Sequence, residues 1–215
     1  MDTQPDQRLI GRTVFLSASI PDPNRWDGEF DSFEITDAVV ALARAVLSAG
    51  AVLVTAAHPT IAPLLLYVAA ELPRTDDARV VVYQSAVFDS ILPEATLRFE
   101  ADGVGTLIRT PASGHEPPDP ARAPESLAVM RRQMLTDAEP IAAIFIGGMA
   151  GIPAEHALFK DLQPGRPTYP VGYPGGEART LAEASDSPLR SILANGMIYP
   201  SVGRSIVNDI ARHYL

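Results

Sequence analysis

No cysteine occurs anywhere in the 215 residues. That absence removes disulfide scaffolds, thiolate zinc sites, iron–sulfur ligation and cysteine nucleophiles together, and it leaves the redox compartment undetermined. Basic residues are scarce as well. Against 26 Asp plus Glu stand 17 Lys plus Arg, of which only Lys160 is a lysine, for a net charge of −9. Broad binding to nucleic acid polymers or to an anionic membrane surface is therefore not expected, because such binding neutralises phosphates with clustered cations. Long apolar runs are missing too. The stretches around Ala49 to Ala57 and Ile61 to Ala70 are interrupted by Thr55, His58 and Pro63, and they fall short of the ~20 residues that a spanning helix needs. The start, Met1 to Arg8, is polar and acidic and has neither the basic beginning nor the apolar segment of a signal peptide. A cytoplasmic protein without membrane contact is the expectation.

What remains is an apolar chain, 47% hydrophobic, long enough to bury a core of its own. Four short runs read as strands: Thr13 to Ile20, Ala51 to Ala57, Ala78 to Gln84 and Ile141 to Ile146. Each is rich in Val, Ile or Phe and lacks polar alternation, as a strand covered on both faces does. Between the first two, Ile35, Val39, Leu42, Ala43, Val46 and Leu47 recur at helical spacing before a stop at Gly50. A second helix is expected over Thr60 to Leu72, with Pro63 in its first turn and Pro73 ending it.

Further on, a strand is expected at Thr106 to Arg109, and the five prolines between Thr110 and Pro124 read as an exposed connecting loop. Helix resumes over Ala123 to Thr136, followed by the Ile141 strand, a glycine turn, and a helix through Phe159. A proline-rich stretch, Pro164 to Pro174, holds a strand at Thr168 to Val171, and an amphipathic helix from Val202 or Gly203 to Tyr214 closes the chain. Alternating strands and helices imply an α/β architecture: a Rossmann-like, open, doubly wound parallel sheet flanked by helices. It forms a single domain over residues 13–215 behind an N-terminal tail of residues 1–12.

Ligands of such sheets bind beyond the carboxyl ends of the strands. That rule selects Ser17 to Asp22, Thr55 to Thr60, Tyr83 to Phe88 and Gly147 to Glu155. In the last, Gly147, Gly148, Met149 and Gly151 lie between a buried strand and a helix, where backbone N–H groups can approach a phosphate. The spacing is neither the dinucleotide fingerprint nor a P-loop, so a tight structural turn is equally compatible. Glu155 suits ribose hydroxyls or general acid–base work, or simply the dipole at a helix start. Ser17, Ala18 and Ser19 form a small, hydroxyl-bearing end to the first strand, suited to a phosphate or ribose or to local backbone bonding. His58 can bond a ligand or cap the next helix. Arg131 and Arg132 offer guanidinium forks, or a solvated helix face. His115 and His156 have no partner at metal-ligand spacing, so neither a metal nor a cofactor is expected. No G-x-S-x-G elbow is present to suggest a hydrolase triad.

The stretch Met130 to Phe159 (MRRQMLTDAEPIAAIFIGGMAGIPAEHALF), with VFLSASIP near the start and AVLVTAAH after the first helix, resembles the SLOG superfamily. That group includes the lonely-guy cytokinin-activating enzymes, the Smf/DprA proteins and nucleotide-sensing domains. The enzymes carry an Arg on the helix before the strand and a P-G-G-x-G-T-x-x-E turn after it. Arg131 and Glu155 look like the counterparts of that Arg and Glu. Ile146 replaces the motif's Pro, one extra residue lies between Gly148 and Glu155, and Ile152 or Pro153 stands in place of the Thr. The second glycine-rich turn of the enzymes is replaced by Ala56, Ala57, His58 and Pro59.

The resemblance is thus closer to the sensor-type members. It implies recognition of an ADP-ribose-like ligand or a nucleoside monophosphate by Ser17, Ala18, Ser19, His58, Gly147, Gly148, Met149, Gly151 and Glu155. Two alternatives stand beside it: a phosphoribohydrolase with Glu155 and Arg131 as catalytic residues, and a nucleotide-independent assembly module. The lonely-guy relatives also imply a homodimer or a higher homo-oligomer.

Overall fold

The computed structural model describes residues 8–73 and 79–214. Six strands, β1 (Thr13–Ser19), β2 (Val52–Ala56), β3 (Val80–Ser85), β4 (Gly105–Thr110), β5 (Ala142–Gly147) and β6 (Thr168–Val171), form one sheet in the order β4-β3-β2-β1-β5-β6. Every pairing is parallel. Eight α-helices connect or flank them among the described residues: α1 (Ser32–Ser48), α2 (Ile61–Glu71), α3 (Glu94–Ala101), α4 (Pro124–Ala138), α5 (Gly151–Leu162), α6 (Glu177–Glu183), α7 (Arg190–Asn195) and α8 (Tyr199–Tyr214). The sheet is the doubly wound α/β arrangement expected. Ala78, the first residue of the expected third strand, lies outside the described residues.

Local chemistry accounts for the helix boundaries. Asp31 caps α1, its carboxylate accepting from the N–H groups of Phe33 and Glu34 at 2.8 and 3.1 Å. Beyond the other end of α1, Gly50 takes φ +85°, the left-handed conformation that stops helices. The proline-rich loop before α4 carries a capping carboxylate of its own. Glu116 accepts from the N–H groups of Glu125 and Ser126 at 2.9 and 2.8 Å, satisfying donors that Pro124 and the first turn leave without intrahelical partners.

Packing divides the apolar residues between two faces. One core gathers Leu16, Leu42, Leu65, Ile144, Ile206 and their neighbours under α1, α2 and α8; the other gathers Phe15, Val54, Met134, Phe145 and Phe159 under α4, α5 and α6. All six residues of β5 are buried, which is why its sequence does not alternate. Pro170 sits in β6, the edge strand, where a missing N–H costs no ladder bond on the open side.

Helices α3, α6 and α7 have no counterpart in the sequence expectation. Each is eight residues or fewer and buries at most two side chains, too little for a periodic signal. Helix α8 begins at Tyr199, three residues before the earliest start expected. Leu9, inside the segment assigned to the N-terminal tail, is buried, and its N–H donates to the carbonyl of Ala49. No helix among the described residues is long and apolar enough to cross a membrane.

Candidate functional site

From β1 the chain proceeds to one side of the sheet through β2, β3 and β4, then returns past β1 to place β5 on its other flank. The connections after β1 and β5 therefore leave toward opposite faces, and a crevice opens above their carboxyl ends. Ser19 and Gly147 are register partners at that point. A cleft of about 210 Å³ lies beside it, over the ends of β1, β2 and β3 and between α4 and the start of α5.

The polar side of the cleft centres on Glu155, one turn into α5 and buried. Its two oxygens are separately engaged. Ser17 Oγ donates to Oε2 at 2.6 Å, and Arg131 Nε donates to Oε1 at 2.7 Å. These three residues come from β1, α4 and α5, with 138 positions between Ser17 and Glu155. Charge-assisted bonds on both oxygens hold the carboxylate in one orientation. Arg131 keeps 24% of its side chain exposed, and no other hydrogen bond engages it among the described residues, so its terminal amino groups face the cleft as donors. Gly151 permits this approach: a Cβ there would stand 3.3 Å from Arg131 Nη2. Arg132, the neighbour on α4, is exposed.

His58 lines the opposite side of the cleft, with Thr55 and Gln84. Its carbonyl accepts from Ile61 and Ala62, starting α2, and its ring Nδ1 lies 3.0 Å from Thr60 Oγ1 and accepts weakly from the Thr60 N–H at 3.4 Å. Its backbone thus starts α2 while the residue borders the cleft. With Nδ1 accepting, the proton sits on Nε2. Desolvation pushes the ring below the usual histidine range, which keeps it neutral at pH 7. Phe88, Ile91, Pro93, Pro120, Leu127 and Met130 form an apolar wall, so the proline-rich loop contributes to the cleft through Pro120.

Ser17, Ala18, Ser19, His58, Arg131, Gly151 and Glu155 all line this one cleft. Gly147, Gly148 and Met149 do not. Gly148 donates its N–H to the Ser19 carbonyl at 2.7 Å and accepts from Glu177 N at 2.9 Å, and a Cβ on Gly147 would meet Ile35 and the Ser19 carbonyl at 2.7 Å. The glycines close the β1–β5 crevice and join α6 to it. Both backbone polar groups of Gly148 are spent on protein partners.

His156 also lies elsewhere, its ring edge-on to Phe145 and its Nε2 3.2 Å from Thr168 Oγ1. His115 is exposed in the proline-rich loop. Sequence reasoning did not single out Gln84 or the apolar wall. The place of Gln84 at the end of β3, inside a segment selected by the strand-end rule, was the signal available.

A parallel doubly wound sheet with a partly apolar cleft at its switch point, floored by a hydroxyl and an Arg–Glu pair, defines a Rossmann-like α/β protein. The model of the SLOG cluster3 family matches residues 25–205, and the chain belongs to that family. Membership points to nucleotide-related binding or processing. No curated protein matches the chain.

Proposed function

We propose that the protein binds a nucleotide in the cleft between α4 and α5, as a sensor-type member of its family. The observation that carries this reading is the Ser17–Glu155–Arg131 arrangement facing an apolar wall. A fixed carboxylate accepts ribose hydroxyl protons, a guanidinium beside a helix N-terminus favours phosphate, and the wall receives a base. The cleft of about 210 Å³ is smaller than the ~300–1,000 Å³ of pockets that enclose drug-sized ligands. It suits one nucleoside unit, so a nucleoside monophosphate or the adenosine half of an ADP-ribose-type ligand would occupy it. Calorimetric titration with AMP, ADP-ribose and cyclic ADP-ribose tests the proposal; no heat from any of them at millimolar concentration would overturn it.

The Arg131–Glu155 contact also favours a second reading, hydrolysis of the N-glycosidic bond of a nucleoside 5′-monophosphate. In that reaction Glu155 would take one proton from water as the water oxygen bonds to C1′, the C1′–N bond would break with its electron pair going to the base, and Glu155 would then pass that proton to the departing base. Incubating AMP and cytokinin monophosphates with wild type and Glu155→Gln separates the readings. Release of free base, lost in the variant, favours catalysis; binding without release favours a sensor.

A further inference from the structure

Gln84 is 4% exposed, ends β3 and lines the cleft, yet its side-chain amide makes no hydrogen bond among the described residues. Its amide opens to the cleft rather than being sealed in the core, so a ligand there can take up both its donor and its acceptor. Ser17, Glu155 and Arg131 are bonded to one another, and Thr55 and His58 have local partners. Among the described residues, Gln84 is the amide of the cleft wall left without a protein partner.

Its position is set by register. Phe15 pairs with Val54 and Ala56 pairs with Tyr83, so Gln84 stands one residue above the level of Ser17 and two strands away, about 10 Å across the sheet; alternation sends its side chain off the face opposite Ser17, and it borders the cleft from the strand end. With a ribose at Ser17 and Glu155, a bicyclic base laid across the strand ends would extend toward Gln84. Phe88 and Ile91, which follow Gln84 in the chain, supply the apolar faces against which a base would lie.

We infer that Gln84 is the specificity-determining residue of the cleft and reads the edge of a purine bearing an adjacent donor and acceptor, adenine in the first instance. A glutamine amide presents one donor and one acceptor side by side, the complement of adenine's exocyclic amine and neighbouring ring nitrogen. The inference rests on the nucleotide-binding reading above.

Its test compares AMP, GMP and ribose 5-phosphate by calorimetry on wild type, Gln84→Met and Gln84→Glu. Methionine keeps length and loses both polar groups; glutamate keeps the shape and offers acceptors only. Wild type should prefer AMP to GMP. Gln84→Met should bind AMP roughly ten- to a hundredfold more weakly, with ribose 5-phosphate unchanged. Gln84→Glu should shift preference toward GMP, whose ring N–H and exocyclic amine are adjacent donors. Equal AMP affinity in wild type and Gln84→Met overturns the assignment while leaving nucleotide binding intact, and so does an equal loss for ribose 5-phosphate, which would make Gln84 structural. If wild type binds none of the three, the underlying nucleotide reading fails instead.

Discussion

Replacing Glu155 with Gln keeps the volume and the two-oxygen fork's shape while removing the charge, so its cost isolates the electrostatics of the Ser17–Glu155–Arg131 contact. In the wild type both bonds are charge-assisted, at 2.6 and 2.7 Å, and such bonds contribute ~1.5–3 kcal/mol each. Glutamine can still accept from Arg131 and donate to Ser17 Oγ, retaining two neutral or half-charged bonds of ~0.5–1.5 kcal/mol. The difference is about 1 kcal/mol per bond, or about 2 kcal/mol in total. Orphaning a fully buried partner costs ~3–5 kcal/mol, but Arg131 remains 24% exposed and water takes up part of its charge. At ~2–4 °C per kcal/mol for a domain of this size, Tm should fall by about 4–8 °C. Circular dichroism melts at pH 7, with urea midpoints at an unchanged m-value, measure the loss. Ser17→Ala added to Glu155→Gln should cost less than it does in the wild type, because the two changes share one bond. A Tm within about 1 °C of wild type, or strict additivity of the pair, would refute the reasoning.

Other expectations follow from the packing around the site and the core. Gly148→Ala forces a left-handed φ of +71° on alanine and sets a Cβ 2.2 Å from Ile152; conformational strain of ~1–2 kcal/mol and overpacking of ~1–3 kcal/mol predict a loss of about 3 kcal/mol, read by urea denaturation. Tyr169→Phe strips the buried Asp209 carboxylate of the hydroxyl that donates to it at 2.9 Å, which should cost ~1–3 kcal/mol in the same assay. Burial lowers the pKa of both His58 and His156, with Lys160 adding to the effect at His156. The unfolded chain therefore binds more protons below about pH 6.5, and stability should decline as pH falls from there toward the lowered folded values. His58→Gln should flatten part of that slope in urea midpoints taken at pH 7.5, 6 and 5, and an unchanged slope would contradict the burial of the ring.

Much of the fold was legible because burial on two faces leaves a direct mark on composition. The strands at Thr13, Ala51 and Ile141 and the long helices α1, α2, α4 and α8 each bury enough side chains to impose apolar runs or a helical period. Short helices α3, α6 and α7 bury too few to do so. The site was legible in part. Small and hydroxyl residues after β1, and a carboxylate after a glycine turn, were recognisable from strand-end position alone. The role of the glycines was not: a backbone N–H pointing at a phosphate and one bonded to Ser19 have the same sequence.

Sequence by itself determined the α/β alternation, the strand ends where a ligand would sit and the candidacy of Ser17, Arg131 and Glu155. Residue type and local periodicity carry that much. Tertiary structure alone decided that these three converge across 138 positions, that Gly148 is spent on β1 and α6, and that Gln84 and Pro120 face the same cleft. Strand order and register bring those groups together, and both are settled by packing between segments distant in the chain.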